Sequence, residues 1–258
     1  MKVQANGITF NCQVDGPEGA PWVVFSNSLA TNFSMWDEQV AGLKSAFRIL
    51  RYDQRGHGGT QATEPPYDFK ILVDDVVALL DALSIERAYF VGISMGGVTG
   101  VGLVQRYPSR VARLVACDCP AAATPASAQQ WAERIGLAKE KGMEALVDVT
   151  VGRWFPPEFV AANPPILDKV REMIRTTSVD GFAGCAGALS DFDFKSGLSA
   201  VSTPTLMIGG SKDAALPGVK FIHGGIAGSK LVELEGAGHL SNLEKPAEFT
   251  QAVLDFLK

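Results

Sequence analysis

The sequence contains few cysteines and histidines, four and three among 258 residues. Cys117 and Cys119 are separated by one residue, which is too close for an ordinary disulfide or the usual zinc-knuckle pairing. The three histidines lie in unrelated segments and give no metal-ligand spacing. We therefore expect reduced, buried thiols and no metal site.

An excess of basic residues and long hydrophobic runs are also absent. The formal net charge is -5, from 23 basic and 28 acidic residues, which argues against a general nucleic-acid-binding or anionic-membrane-binding surface. No segment offers the roughly 18 uninterrupted apolar residues of a membrane span, and the N-terminus lacks an apolar block of signal-peptide length. We expect a cytoplasmic protein whose partner is a small molecule, and the sequence does not indicate an oligomeric state.

Short apolar runs separated by helical patterns indicate the fold class. Residues around Asn6-Gly7 alternate in polarity, and this dipeptide suits a type I′ turn, so we expect a hairpin at the sheet edge. Runs rich in Val, Ile and Phe are typical of strands buried on both faces. They cover 22–26, 47–53, 88–94, 110–118, 203–210 and 230–236. The prediction is an α/β protein with a mostly parallel eight-stranded sheet and helices on both faces.

The character of the chain changes between residues 120 and 196. Helical stretches occur there without a convincing strand, broken by Pro156-Pro157 and Pro164-Pro165. We expect a helical cap at 120–196, inserted into a core formed by 1–119 and 197–258.

The stretch "YFVGISMGGVTG", residues 89–100, places Ser94 between Gly92 and Gly96. A strand run precedes it and a helical pattern follows, which is the order of the nucleophile elbow in α/β-hydrolases. Glycines at the two flanking positions relieve crowding where the backbone passes close to its neighbours. An incidental glycine-rich turn is the alternative, and a phosphate loop is disfavoured because the glycine-lysine pair is missing. Ser94 is the predicted nucleophile.

A serine hydroxyl requires a base to become nucleophilic. The chain order in this fold is nucleophile, acid, then histidine. His57 precedes Ser94, and His223 is expected on a surface helix. His239 follows the predicted strand 230–236, so it is the predicted base.

The base in turn requires a carboxylate to fix its tautomer. Asp213 comes a few residues after the predicted strand 203–210 and between Ser94 and His239 in the chain. Asp191 and Asp193 satisfy the order but lie in the helical segment. Asp213 is the predicted acid, and a turn-forming aspartate is the alternative.

The reaction also needs an oxyanion hole of backbone N–H groups. Met95, directly after the nucleophile, and Leu29, in the turn after strand 22–26, are the predicted donors. Asn27 and Ser28 lie in that same turn. Their side chains either shape the turn or hydrogen-bond the substrate, and both roles stay open.

Several segments together resemble the bacterial 3-oxoadipate enol-lactonases of aromatic catabolism. They are "FSNSLATNFSMWDEQV", "RYDQRGHG", "GISMGG", "RVARLVACD", "WAERI", "GFAGCAGALSDFDF" and "GAGHLSNLEKP". The resemblance implies an α/β-hydrolase with a helical cap and no metal or organic cofactor. It implies hydrolysis of a small enol-lactone bearing a carboxylate to a 3-oxo dicarboxylic acid, with the triad on Ser94, Asp213 and His239.

The chain departs from that family at two places expected to border the pocket. After Cys117 it reads "DCPAAATPASAQQW" where "NTA" is usual, and the acid loop reads "KDAALP" where "D..TPP" is usual.

A substrate carboxylate calls for a cation. Arg134 follows Trp131 by about one helical turn, so the pair suits a clamp on a short acidic substrate; a solvated arginine beside a packed tryptophan is the alternative.

Other activities share this set of residues. A carboxylesterase or perhydrolase acting on small neutral esters uses the same triad, as do hydrolases of C–C bonds. A ligand receptor built on a hydrolase fold is a further alternative, since fold alone does not fix function. A haloalkane dehalogenase is disfavoured because Ser94 is not a carboxylate.

Overall fold

The computed structural model describes all 258 residues, and eight strands form one mixed sheet. They are β1 (Lys2–Ala5), β2 (Ile8–Asp15), β3 (Trp22–Ser26), β4 (Arg48–Tyr52), β5 (Ala88–Ile93), β6 (Val111–Cys117), β7 (Thr205–Gly210) and β8 (Lys230–Leu234). Their order across the sheet is β1-β2-β4-β3-β5-β6-β7-β8. β2 is antiparallel to both β1 and β4, and all other pairs are parallel. The predicted mostly parallel eight-stranded sheet is confirmed.

Eleven α-helices connect and cover the strands. They are α1 (Asp37–Leu43), α2 (Phe69–Ala82), α3 (Met95–Arg106), α4 (Pro125–Lys141), α5 (Val147–Trp154), α6 (Pro157–Ala162), α7 (Ile166–Thr176), α8 (Val179–Ser190), α9 (Leu216–Gly225), α10 (Ser241–Glu244) and α11 (Pro246–Leu257). α3 packs on the central strands β3, β5 and β6, and α2 packs on α3. None of the helices combines the length and apolar character needed to cross a bilayer.

The edge hairpin forms at the predicted dipeptide. Asn6 and Gly7 have φ angles of 44° and 76°, and Ala5 pairs with Ile8 across the turn. Both central residues of a type I′ turn need positive φ, which asparagine and glycine tolerate best. The hairpin prediction is confirmed.

Residues 120–196, here called the cap segment, contain α4 to α8 and no strand. Ala122 and Asp193 form an isolated antiparallel bridge, so the two ends of the segment meet. The sequence reading missed α6, which begins at Pro157, because proline breaks a helix interior but is favoured in the first turn. The boundaries between core and cap stay a prediction.

The central strands are buried on both faces, as their composition predicts. All six residues of β7 are buried, and so are the last four of β3, β5 and β6. The four cysteines are free and buried, as expected. Parallel strands end at one edge of the sheet, so the residues that follow β5, β6 and β7 are brought together there.

Candidate active site

Ser94 lies on a sharp turn between β5 and α3. Its φ and ψ are 55° and -118°, an unusual conformation that a non-glycine residue adopts only when the surroundings impose it. A side chain at Gly92 would meet the Gly96 carbonyl oxygen at 2.2 Å, and one at Gly96 would meet the Ser26 carbonyl oxygen at 2.2 Å. The two motif glycines are therefore required by close backbone approach, and the turn exposes the Ser94 hydroxyl.

The structure brings the three predicted triad residues into one hydrogen-bonded line. The Ser94 Oγ lies 2.8 Å from His239 Nε2, and His239 Nδ1 lies 2.9 Å from Asp213 Oδ2. The imidazole is 16% exposed and the aspartate side chain 5% exposed. With the Nδ1 proton donated to Asp213, Nε2 is left to accept the serine proton, which is the polarity that serine activation requires.

Asp213 is held in its charged form. Burial opposes ionisation, but the His239 ring, the Ala215 N–H at 3.1 Å and the Asp118 carboxyl group outweigh it and keep the pKa of Asp213 below its usual value. An ionised carboxylate is the form that can accept the Nδ1–H of the imidazole. The competitors Asp191 and Asp193 are exposed, and the ring nitrogens of His239 hydrogen-bond Asp213 and Ser94 instead.

The predicted oxyanion donors are free of other partners. Neither the Leu29 N–H nor the Met95 N–H donates to another protein group. The next residue, Ala30, has a φ of 58°, and its N–H donates to His57 Nε2 at 3.0 Å. His57 is fully buried, and its Nδ1–H donates to the Arg55 carbonyl oxygen at 3.0 Å. His57 thus holds the turn that carries Leu29, a contact that sequence order does not reveal.

The turn residues Asn27 and Ser28 differ in where their side chains point. Asn27 donates to the Tyr52 carbonyl oxygen and accepts from Trp36 Nε1, both at 2.9 Å. Its side chain is committed within the core and does not line the pocket. The substrate-binding assignment of Asn27 is therefore corrected, and it shapes the turn. Ser28 lines the pocket, and its buried hydroxyl has no hydrogen-bond partner.

A cavity of about 260 Å³ opens above the triad. Its walls include Leu29, Pro120, Trp154, Leu189 and Phe192, with Ser94 and His239 at its floor. Both segments that depart from the enol-lactonase pattern contribute lining residues, at 120–124 and 213–215. The pocket is small and combines apolar walls with several polar and charged side chains, which gives a small-molecule site both contact area and groups that fix orientation.

Two arginines lie in this pocket without an acidic partner. Arg134 packs over the Trp131 ring, 4.9 Å from its centroid, and donates to Thr150 Oγ1 at 2.8 Å. Arg153, which sequence reasoning missed, donates to Gln130 Oε1 at 2.9 Å. Burial and the neighbouring Arg153 charge lower the pKa of Arg134 to about 10. The pocket thus holds two positive charges that no carboxylate of the protein neutralises.

The site is therefore that of a serine hydrolase. A buried aspartate, a histidine and a serine are joined by hydrogen bonds at the edge of the sheet where the parallel strands end. Residues 21–246 match the profile of the α/β-hydrolase fold family. The chain belongs to that family, within which it is enol-lactonase-like, and it is a hydrolase.

Individual relatives agree with this assignment. The chain is 36% identical over 256 residues to 3-oxoadipate enol-lactonase 2 of Acinetobacter baylyi, covering 98% of this chain and 95% of that protein. It is 38% identical to the enol-lactonase from Burkholderia xenovorans LB400, whose crystal structure superposes with a TM-score of 0.96 over 100% of this chain and 99% of that one. A hydrolase from Pseudomonas aeruginosa PA01 is also 38% identical, with a TM-score of 0.95 over 99% of this chain and 96% of that one.

Proposed function

We propose that the protein hydrolyses a small enol-lactone that carries a carboxylate, with 3-oxoadipate enol-lactone of aromatic catabolism as the first candidate. The observation that carries the proposal is the pair Arg134 and Arg153 in the pocket that contains Ser94. The proposal also draws on the similarity to two 3-oxoadipate enol-lactonases of Acinetobacter baylyi, each 36% identical. The product is a 3-oxo dicarboxylic acid.

Arg134, half-buried and without a carboxylate partner, supports a negatively charged substrate because a desolvated cation is costly without a counter-ion. Arg153 is exposed and adds a second positive charge at the pocket wall. Each guanidinium has five N–H donors, and each makes one side-chain hydrogen bond here, to Thr150 or to Gln130. The remaining donors are available to a substrate carboxylate. Arg–carboxylate bonds are charge-assisted and geometrically specific, so they orient a short substrate as well as bind it.

Acylation begins with attack of the Ser94 hydroxyl on the lactone carbonyl. His239 takes the serine proton, and Asp213 stabilises the imidazolium that forms. The free N–H groups of Leu29 and Met95 are placed to donate to the oxyanion of the tetrahedral intermediate. Collapse of the intermediate breaks the ring C–O bond. The enol oxygen leaves, takes the proton from His239, and tautomerises to a ketone.

Deacylation follows on the same residues. The leaving group stays attached to the acyl chain because the substrate is cyclic, so water must attack while the ketone still fills part of the pocket. His239 takes a proton from that water, and the second tetrahedral intermediate expels Ser94 Oγ, which recovers its proton. The unpartnered Ser28 hydroxyl in the pocket wall is available to a polar group of the acyl chain.

A substrate panel tests the proposal. Initial rates are measured on 3-oxoadipate enol-lactone, a simple saturated lactone and p-nitrophenyl acetate, with Ser94→Ala as the matched control. The expected result is a kcat/KM for the enol-lactone at least about 100-fold above the other two, and loss of nearly all turnover in the variant. Preference for p-nitrophenyl acetate would instead identify a general esterase, and unchanged lactone hydrolysis by Ser94→Ala would exclude the triad mechanism.

A further inference from the structure

A second buried carboxyl group, Asp118, lies directly behind the triad aspartate. It follows β6, beside β7 in the sheet, and is completely buried. Its φ of 49° is a backbone conformation that asparagine, aspartate and glycine adopt most readily. The turn places the Asp118 carboxyl group beside the acid loop, where it and Asp213 each shift the pKa of the other: Asp213 raises that of Asp118, and hydrogen bonding with Asp118 lowers that of Asp213.

Asp118 also joins three chain segments of the site. Its Oδ1 accepts the Gly210 N–H at 2.8 Å, at the end of β7. Its Oδ2 accepts the Ser241 hydroxyl at 2.5 Å, two residues after His239. The side chain thus connects the strand end that leads to Asp213 with the loop that carries the histidine, so its position affects both members of the relay.

The donors around the two carboxyl groups do not balance two negative charges. Asp213 accepts from His239 and from the Ala215 N–H, and no cation contacts Asp118. The nearby Cys117 and Cys119 thiols are kept protonated by burial, which raises their pKa values. Glu244, on the other side of the histidine loop, is a further acid. Two buried carboxyl groups that interact in this way resist a second ionisation when no cation neutralises them, which favours a pair that holds one proton.

We propose that Asp118 is a positioning residue of the catalytic relay that carries this proton and donates it in a hydrogen bond to the Asp213 carboxylate. Asp213 remains the ionised member because it alone faces the imidazole. The bond fixes the Asp213 carboxylate and withdraws part of its charge. In this way Asp118 sets both the orientation of His239 and the strength with which Asp213 stabilises the imidazolium.

The direction of the shifts agrees with that assignment. Burial, and then the Asp213 charge, raise the pKa of Asp118 well above its usual value. For Asp213, burial is outweighed by His239 and its other hydrogen bonds, and the pKa lies below its usual value. When two carboxyl groups have pKa values driven apart, the neutral one serves as a donor and the charged one as an acceptor.

Two substitutions test the role. Asp118→Ala removes the donor and frees the Asp213 carboxylate, so kcat should fall about tenfold or more with KM within about twofold. The acid limb of the kcat/KM profile should move to higher pH because the undiminished Asp213 charge stabilises the imidazolium. Asp118→Asn supplies an amide N–H in place of the acid proton and should rescue kcat to within about threefold of wild type, with the acid limb restored. The exposed Asp148→Ala serves as the control.

Two kinetic results would overturn the proposal. Asp118→Ala with wild-type kcat and pH profile would show that Asp118 positions nothing. An acid limb that moves to lower pH in Asp118→Asn would show that Asp118 is an anion, since the substitution would then have removed a negative charge from the relay.

An infrared difference spectrum detects the proton on Asp118 without a measurement of catalysis. At pH 7, wild type minus Asp118→Asn should show the carbonyl stretch of a protonated carboxylic acid, and Glu244→Gln separates any contribution from Glu244. Absence of the Asp118 band overturns the proposal even if Asp118→Ala does not fold.

The inference rests on the proposed serine chemistry but not on the choice of substrate. If wild type hydrolyses no ester or lactone, the proposed function fails, while the spectrum still decides where the proton lies.

Discussion

The Trp154 carbonyl oxygen accepts a hydrogen bond from the His239 backbone N–H at 2.7 Å. The same tryptophan stacks its indole on the imidazole, with ring centroids 6.2 Å apart and planes inclined by 27°. A side chain at Gly238 would meet the Trp154 carbonyl oxygen at 2.4 Å, so a glycine is needed for this approach. The last residue of α5 in the cap segment is thereby bonded to the loop of the proposed base.

Truncation of Trp154 should affect both stability and turnover. Trp154→Ala leaves a cavity beside the imidazole, so we expect a loss of about 3 kcal/mol in the free energy of unfolding and a fall of about tenfold in kcat. Trp154→Phe retains an aromatic ring and should stay within about threefold of wild type in kcat. Denaturant unfolding and steady-state kinetics measure the two effects. A wild-type kcat in Trp154→Ala would show that the stacking does not orient His239.

Removal of the His57 acceptor should weaken transition-state stabilisation. His57→Leu leaves the buried Ala30 N–H unsatisfied, which costs about 1–3 kcal/mol and loosens the turn that carries Leu29. We expect kcat to fall about tenfold or more with little change in KM, because an oxyanion contact is made only in the transition state. His57→Gln, which retains an acceptor, is the matched control. An equal loss in both variants would exclude the hydrogen bond as the cause.

His57 should also make stability depend on pH. Burial lowers the pKa of His57 below 6.5, so the unfolded chain takes up the proton first as the pH falls. This contribution to stability is therefore complete above pH 6.5 and is lost progressively below it. Unfolding free energies measured at pH 7 and pH 5 should differ less in His57→Leu than in wild type. An unchanged difference would show that the imidazole is not held neutral.

Glu244 should have the opposite pH dependence. Burial is the main cause that raises its pKa to about 7, and its Oε1 accepts the Gly238 N–H at 2.8 Å. The folded protein therefore retains a proton that the unfolded chain has lost, and stability falls as the pH rises from about 4.5 to 7. Glu244→Gln keeps an acceptor without the charge. The free energy of unfolding of Glu244→Gln should exceed that of wild type by an amount that grows by about 1 kcal/mol between pH 5 and pH 8, allowing for solvent screening of this half-buried group. A constant difference would contradict the raised pKa.

The pocket arginines should act on substrate binding rather than on the chemical step. Loss of a charge-assisted contact costs about 1.5–3 kcal/mol, so Arg134→Met should raise KM for a carboxylated lactone about 10–100-fold. Arg153 is exposed, so Arg153→Met should raise KM by a smaller factor because solvent screens its charge. Values of kcat should change little. The exposed Lys139→Met, also on α4, controls for the loss of positive charge in the cap segment. An unchanged KM in both arginine variants would leave the pocket charges without the proposed role.

Sequence order was sufficient to predict the residues that follow strands. Ser94, Asp213 and His239 each come after a recognisable strand, and parallel strands bring their ends together. Asp118 also follows a strand, but its contact with Ser241 joins residues 123 positions apart and depends on the turn geometry. Arg153 lies on a helix whose orientation over the pocket only the folded chain defines.

Asn27, which the sequence wrongly assigned to substrate binding, also depends on contacts between distant segments. Asn27 lies in the correct turn, but its side chain is directed inward by two hydrogen bonds with Tyr52 and Trp36. Those partners lie on separate segments of the chain, so the local sequence indicates the turn and not the direction of its side chains. Directions of side chains are set by packing across elements, which a one-dimensional pattern does not contain.

The central claim is that the pocket selects a lactone by its carboxylate. The most direct measurement compares kcat/KM of the wild-type protein for 3-oxoadipate enol-lactone with that for the same lactone whose side-chain carboxylate is replaced by a primary amide. Two guanidinium groups without a carboxylate partner predict a preference for the carboxylate of about 100-fold or more. Equal values, or a preference for the amide, would contradict the proposed substrate class.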